Sequence, residues 1–220
     1  MLKKSFKGAI ALSLMLVPLS AFSQWGGMGM NMNRDSLNKV AEADYANMME
    51  QPALIEPVGD GYVQINPSYP LATQEEMDSF WDLPFTKQPH PRYKGKHIPA
   101  FEMIKFSINT HRGCFGGCNF CTIAAHQGKF IQSRSEQSIL KEIAQLKELP
   151  GFAGNISDVG APTANMYGMA GKDKSLCAKC RRKSCLFPSP CKNMDRSHQR
   201  LLDLYAEIAR IKGIRHAYIG

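Results

Sequence analysis

The sequence predicts an α/β fold: a partial, incomplete TIM-like barrel of about three βα units, with an irregular N-terminal extension and a cysteine-rich insertion after the second strand. Three observations predict it. Strand-like and helix-like periods alternate from residue 101 to the end, and two long amphipathic helical patterns, 133–149 and 198–213, separate the strand candidates. Loops rich in glycine and cysteine follow the strand ends, which is where such folds keep their chemistry. Three strands cannot close a barrel, and a final strand with no helix after it leaves an apolar face and an edge uncovered, so the chain reads as a piece of a longer protein.

Composition sets the bounds. A chain of 220 residues, 44% hydrophobic and 21% charged, holds one sizeable domain or a smaller one with appendages, and is too apolar for wholesale disorder. Of the formal +8 charge, Lys3, Lys4 and Lys7 supply three units; the rest is a mild excess that alone implies no nucleic-acid partner. Seven cysteines, an odd number, fit a fully paired disulfide framework poorly.

Residues 1–23 have the three parts of a secretory signal: a basic start, an apolar run from Ala9 to Leu19, and small residues Ala21 and Ser23 before Gln24. The run is shorter than the roughly 20 residues a membrane span needs, and no other stretch approaches that length. Residues 24–50 form a Gly/Met-rich spacer and a short helix capped by Asp35, with Leu37, Val40, Ala41, Tyr45 and Met48 on one side. Residues 51–100 are a Pro-rich connector leading into the barrel. Within it, 61–65 alternates like a strand after the turn at Gly59–Asp60–Gly61, 72–83 reads as a helix, and Pro89, Pro91 and Pro99 keep 87–100 extended.

Residues 101–220 carry the βα units. The first strand is 101–109, where Phe101, Met103 and Lys105 alternate with Ile104, Phe106 and Ile108. The helix over 133–149 starts at a Ser133–Glu136 capping box and aligns Ile139, Leu140, Ile143 and Leu146. The second strand and its loop occupy 154–163, and the insertion spans 171–196. The helix over 198–213 aligns Leu201, Leu204, Tyr205, Ile208 and Ile211 and stops at Gly213, and "IRHAYIG" opens a third strand.

Between the first strand and the first long helix stand Cys114, Cys118 and Cys121, spaced C-x3-C-x2-C among Gly113, Gly116 and Gly117. Cysteine thiolates are the usual ligands of a [4Fe–4S] cluster. Three hold three corners and leave one iron open to the amino and carboxylate groups of S-adenosylmethionine (SAM). An electron from the reduced cluster into the sulfonium then breaks a carbon–sulfur bond and yields a 5′-deoxyadenosyl radical. The glycines let the backbone curl around a cluster, and Phe120 can lay a ring beside an adenine. Zinc competes, with His111 or His126 as a fourth ligand; buried unreactive cysteine competes less well, and three cysteines cannot pair among themselves.

A second group, Cys177, Cys180, Cys185 and Cys191, is spaced C-x2-C-x4-C-x5-C in a stretch with too little apolar content to fold around a core. A closed zinc site or an auxiliary iron–sulfur cluster would organise it, and two disulfides are the alternative in an exported chain. The basic residues from Lys179 through Lys183 would offset thiolate charge. The same stretch, with Lys172, Lys174, Lys192, Arg196 and Arg200, admits a cysteine-held knuckle that grips RNA phosphates, although only Phe187 offers a stacking ring.

The stretches "FSINTHRGCFGGCNFCTIAAHQGK", "IQSRSEQSIL" and "SDVGAPTANMYG" resemble the YgiQ family of uncharacterised radical SAM proteins, and the similarity runs from about residue 55 to the last residue. Proteins of that family are much longer, with an N-terminal region resembling a cobalamin-binding domain and a barrel that continues past the third strand. The resemblance implies that Cys114, Cys118 and Cys121 ligate the cluster, that Phe120 flanks the adenine, and that a low-potential electron donor is a partner. It also implies that Gly160, Ala161 and Pro162 contact the methionine amino group, although the adjacent glycines and following glutamate usual at that place are absent. Asp158 is a polar contact or a loop cap. No residue is singled out as catalytic. A half barrel leaves a radical open to solvent, so the chain alone should be inactive or nearly so. The alternative is a non-enzymatic zinc-binding module that contacts RNA. Cluster chemistry implies the cytoplasm, whereas the leader-like segment alone implies secretion; a fused or misjoined leader reconciles them.

Overall fold

The computed structural model describes residues 53–66, 70–161 and 165–219. The signal-like segment 1–23, the spacer and helix expected within 24–50, and Pro162 lie outside the described residues. The content is mixed α and β, as expected. A hairpin comes first: β1 (Leu54–Val58) pairs antiparallel with β2 (Gly61–Ile65), turning at Gly59, whose φ of 58° suits glycine. The sequence reading foresaw β2 but not its partner. Helix α1 (Gln74–Trp81) starts at a capping box in which the Thr73 hydroxyl accepts from Glu76 N–H and the Glu76 carboxylate accepts from Thr73 N–H.

The strand expected over 101–109 is helix in its first four residues and strand only in its last three. Pro99, at the first helical position, sets φ for α2 (Pro99–Ile104), and Lys105 N–H closes it on the Phe101 carbonyl. Met103 and Ile104 are exposed, so the alternation there recorded no buried face. Strand β3 is only Ser107–Asn109. After it come β4 (His111–Arg112), α3 (Ile123–Gln127) and β5 (Gln132–Ser133), with β4 and β5 paired antiparallel across the cysteine loop.

Helix α4 (Glu136–Lys147) is capped by Ser135, whose hydroxyl accepts from Ser138 N–H at 3.1 Å. The expected cap, Ser133, instead accepts from Gly168 N–H. Next are β6 (Asn155–Ile156) and β7 (Asp158–Gly160), then α5 (Lys174–Ala178), α6 (Gln199–Arg210) and β8 (His216–Ala217). Helix α6 ends before Gly213, which turns the chain at φ 95° two residues past the C-cap Ile211.

The pairing is parallel where the βα reading required it. β3 pairs with β7 and β6 with β8. β6 and β7 are halves of one stretch: between them Ser157 N–H bonds the Phe106 carbonyl, while Val159 N–H and the Ile156 carbonyl both bond Tyr218. The middle strand thus has the first on one side and the third on the other. Ile108, Ile156 and Val159 from these strands meet Ile139, Ile143 and Leu146 of α4 and Leu201, Leu204 and Ile208 of α6 in one buried core. A second, smaller cluster joins Cys114, Phe115, Met166, Met169 and Met194. Among the described residues no helix is long and apolar enough to cross a membrane.

One buried cation fastens these layers. Arg134 is 0% exposed. Its Nη1 donates to the Asn109 carbonyl (2.8 Å) and to Glu142 Oε2 (2.5 Å), its Nε and Nη2 donate to Ser138, and its guanidinium stacks 4.7 Å from the Trp81 ring. Burial pulls the guanidinium below its ordinary pKa, and the Glu142 charge opposes that. Arg134→Met leaves the Asn109 carbonyl without this donor and the Glu142 carboxylate with Lys87 as its remaining ion-pair partner, and should cost about 3 kcal/mol in chemical denaturation; a loss below about 1 kcal/mol would show that the array does not depend on this contact.

Candidate metal centre

The cysteine loop starts where β3 ends. Thr110 N–H bonds the Gly160 carbonyl (2.7 Å), the Thr110 hydroxyl bonds the same carbonyl (3.0 Å), and the Thr110 carbonyl accepts from Arg134 N–H. The ends of the first and second strands are therefore one lip, and the loop carrying Cys114 rises from it beside Gly160 and Ala161. Cys114 N–H bonds the Gly128 carbonyl (3.0 Å), and Gly113 N–H bonds the Gln127 side chain (3.2 Å), closing the loop base. Gly113, at φ 98°, is forced: a Cβ there would stand 2.2 Å from the Phe130 carbonyl oxygen.

The three thiols differ in setting. Cys114 is buried, Cys121 half-buried and Cys118 exposed, and none is in a disulfide. Gly116 lies between the first two, where an added Cβ would be 3.3 Å from Cys114 Sγ and 3.7 Å from Cys118 Sγ. Gly116 N–H also donates to Cys114 Sγ at 3.3 Å. Cys118 and Cys121 line a pocket of about 190 Å³ whose rim includes Gly117 and Lys183. Three soft sulfur donors around bare glycine backbone suit a [4Fe–4S] cluster. Among the described residues, no three His, Cys, Asp or Glu side chains converge on a point that a single ion could occupy.

The remaining expected residues fall as follows. Phe120 is 92% exposed on the loop's outer side. Gly160 is buried and Ala161 half-buried at the shared lip. Asp158 is a strand residue opposite Ser107, and its charge helps raise the Tyr205 hydroxyl to about 12, behind the larger effect of burial. His111 is 1% exposed; its Nδ1 shares a hydrogen bond with the Thr110 hydroxyl (2.9 Å), its Nε2 has no partner, and burial pulls its pKa down to about 4. It is therefore neutral at pH 7. His126 is exposed.

Cys177, Cys180, Cys185 and Cys191 all line one cavity of about 500 Å³. Burial pushes the Cys177 and Cys185 thiols up. Of the basic run Lys179 through Lys183, Arg182 donates to the Phe187 and Ser189 carbonyls (3.0 and 2.7 Å) and ties the insertion together. Lys129 and Lys192 both line the cavity, and Lys129, which the sequence reading passed over, reaches Cys180 Sγ at 3.7 Å. It is the only Lys, Arg, Asp or Glu between Arg112 and Arg134, and that isolation is a legible signal.

The insertion is seated on the cysteine loop. Cys185 N–H bonds the Phe115 carbonyl (3.0 Å), the Ser184 hydroxyl donates to the Gly116 carbonyl (2.6 Å), and a Cβ on Gly117 would stand 2.6 Å from the Lys183 carbonyl oxygen.

Known proteins resemble the chain over most of its length. The Radical SAM N-terminal family matches residues 30–107, which begins upstream of the similarity read from the motifs. A UPF0313 protein of Bacteroides thetaiotaomicron is 53% identical over 175 residues, which is 80% of this chain and 28% of that protein. A UPF0313 protein of Methanocella arvoryzae is 51% identical over 72% of this chain and 26% of its own length. The UPF0313 protein YgiQ of Escherichia coli is 50% identical over 76% of this chain and 23% of its own. The chain thus spans about a quarter of the length of the curated relatives it matches.

Two glycine substitutions separate backbone strain from contact. Gly59→Ala, at φ 58° with nothing within 4 Å, should cost about 1 kcal/mol in thermal unfolding. Gly117→Ala, at φ 61° against the Lys183 carbonyl, should cost roughly 3 kcal/mol. Equal costs would mean that the insertion does not press on the loop.

Proposed function

Starting from a chain that belongs with the UPF0313 proteins, YgiQ among them, and carries a Radical SAM N-terminal domain, we propose that it forms the first part of the barrel of a radical SAM enzyme whose [4Fe–4S] cluster is held by Cys114, Cys118 and Cys121. The observation that carries this reading is the arrangement at Gly116: two sulfurs flank a glycine whose Cβ would press on Cys114 Sγ and touch Cys118 Sγ, and the third cysteine lines the adjoining pocket. When bound, the cluster supplies the electron that cleaves SAM to a 5′-deoxyadenosyl radical.

The chain's own residues have definable tasks in this reading. Cys114 packs against Phe115, Met166 and Met169, which exclude water from one corner of the site. Thr110 saturates the Gly160 carbonyl with two hydrogen bonds, which fixes the lip where Gly160 and Ala161 meet the methionine part of the cofactor; Pro162 is assigned to the same contact from the sequence alone. The exposed Phe120 ring is free to cover the adenine. The strands' parallel order, with α4 and α6 between them, fits the opening of a barrel. The enzyme works in the cytoplasm, with a low-potential electron donor as partner, where clusters are assembled and kept reduced.

After anaerobic reconstitution with ferrous iron and sulfide, changing Cys114, Cys118 and Cys121 together to Ala should remove about four irons per chain. Iron content equal to that of the unaltered chain would overturn the assignment.

A further inference from the structure

We propose that Cys177, Cys180, Cys185 and Cys191 hold a second metal centre, an iron–sulfur cluster, with the buried Lys129 ammonium as its counter-charge. All four thiols border one cavity together with Lys129 and Asn193, and none is in a disulfide. Cys177 Sγ sits against bare backbone: a Cβ on Gly171 would stand 2.2 Å from it. Asn193 Nδ2 donates to that same sulfur at 3.3 Å, the kind of hydrogen bond that holds and tunes a cluster thiolate. Apart from α5 and the Gly171–Met194 bridge at its neck, the insertion has little regular structure, and a bound metal group supplies the organising energy that such a segment lacks.

Lys129 is the second, independent observation. It is 1% exposed, and its Nζ donates to the Arg182 carbonyl (2.9 Å), the Cys180 carbonyl (3.4 Å) and Cys180 Sγ (3.7 Å). Among the described residues no carboxylate pairs with it. Burying an ammonium costs several kcal/mol unless an opposite charge stands close by. Neutral thiols and two carbonyls provide none, whereas a centre bound by four thiolates carries net negative charge beside Nζ.

The size of the site selects the kind of metal. A single zinc holds each sulfur at about 2.3 Å, so four cysteines must converge on one point. Here no three of them do, and all four border a cavity of about 500 Å³ that Phe130, Leu176 and Met194 also line. A four-iron cubane spreads its ligands around a larger body. Because Cys185 and Ser184 bond the backbone of Phe115 and Gly116, this centre would also brace the loop of the first one.

The test uses the full chain, purified and reconstituted anaerobically with ferrous iron and sulfide, with zinc, iron and sulfide measured by elemental analysis. The chain in which Cys114, Cys118 and Cys121 are all Ala should keep half of the original iron, about four atoms, and Cys180→Ser with Cys185→Ser should lose that half. Lys129→Gln should release the second centre's iron to a chelator at least several-fold faster while leaving the first centre's iron and the far-ultraviolet circular dichroism unchanged. The proposal is overturned by a triple-Ala chain free of iron or carrying one zinc instead, or by Lys129→Gln releasing iron at the original rate. If the triple-Ala chain fails to fold, the unaltered chain decides: about eight irons support the second cluster and about four contradict it. An iron content of about four that is the same in the unaltered and triple-Ala chains would uphold this centre and remove the first.

Discussion

The structure hangs on a guanidinium with no route to water. Arg134 holds the carbonyl of Asn109, the last residue of β3, and at the same time holds α4 through Ser138 and Glu142, while its face lies on Trp81 of α1. Its carbonyl accepts from the Tyr167 hydroxyl, and its N–H bonds the carbonyl of Thr110. A strand end, two helices and the return of the cysteine loop therefore share one hydrogen-bonded knot. A short strand such as β3 has few ladder bonds of its own, and the knot fixes its end where the loop must depart.

That fixed departure is what the proposed cluster chemistry needs. Cluster ligands must be held in place before the metal arrives, and the loop is clamped at its base by Gly128, at its side by Gly160 and from above by the insertion. Gly113 and Gly117 are the positions where the clamps approach too closely for any side chain. The loop and the insertion share the apolar cluster of Cys114, Phe115 and Met194, against which Cys185 and Cys191 also pack. Two cysteine groups far apart in sequence thus lie on either side of one small core.

Much of this was legible in the chain, and the failures have physical reasons. The helices over 136–147 and 199–210 followed from stripes such as Ile139–Ile143–Leu146, because burial on one face imposes a 3.6-residue period. The parallel order followed from strand, loop and helix repeating. The stretch 101–106 misled because its alternation was accidental: Pro99 starts a helix there, and Met103 and Ile104 face solvent. Arg134 and Lys129 were missed because a charged residue in a loop is ordinarily solvated. Only the fold brings carbonyls from residues 25 and 53 positions away to pair with them. The three-cysteine spacing was read directly, since the three cysteines lie within eight residues and need no tertiary structure to be recognised.

The central claim is that three thiolates leave one iron free for the amino and carboxylate groups of SAM. The most direct measurement is electron–nuclear double resonance on the reduced, reconstituted chain with SAM labelled with nitrogen-15 at its amino group. The account predicts a hyperfine coupling from that nitrogen to the cluster, abolished when Cys114, Cys118 and Cys121 are replaced. A reduced cluster signal with no nitrogen coupling and no change on adding SAM would contradict it.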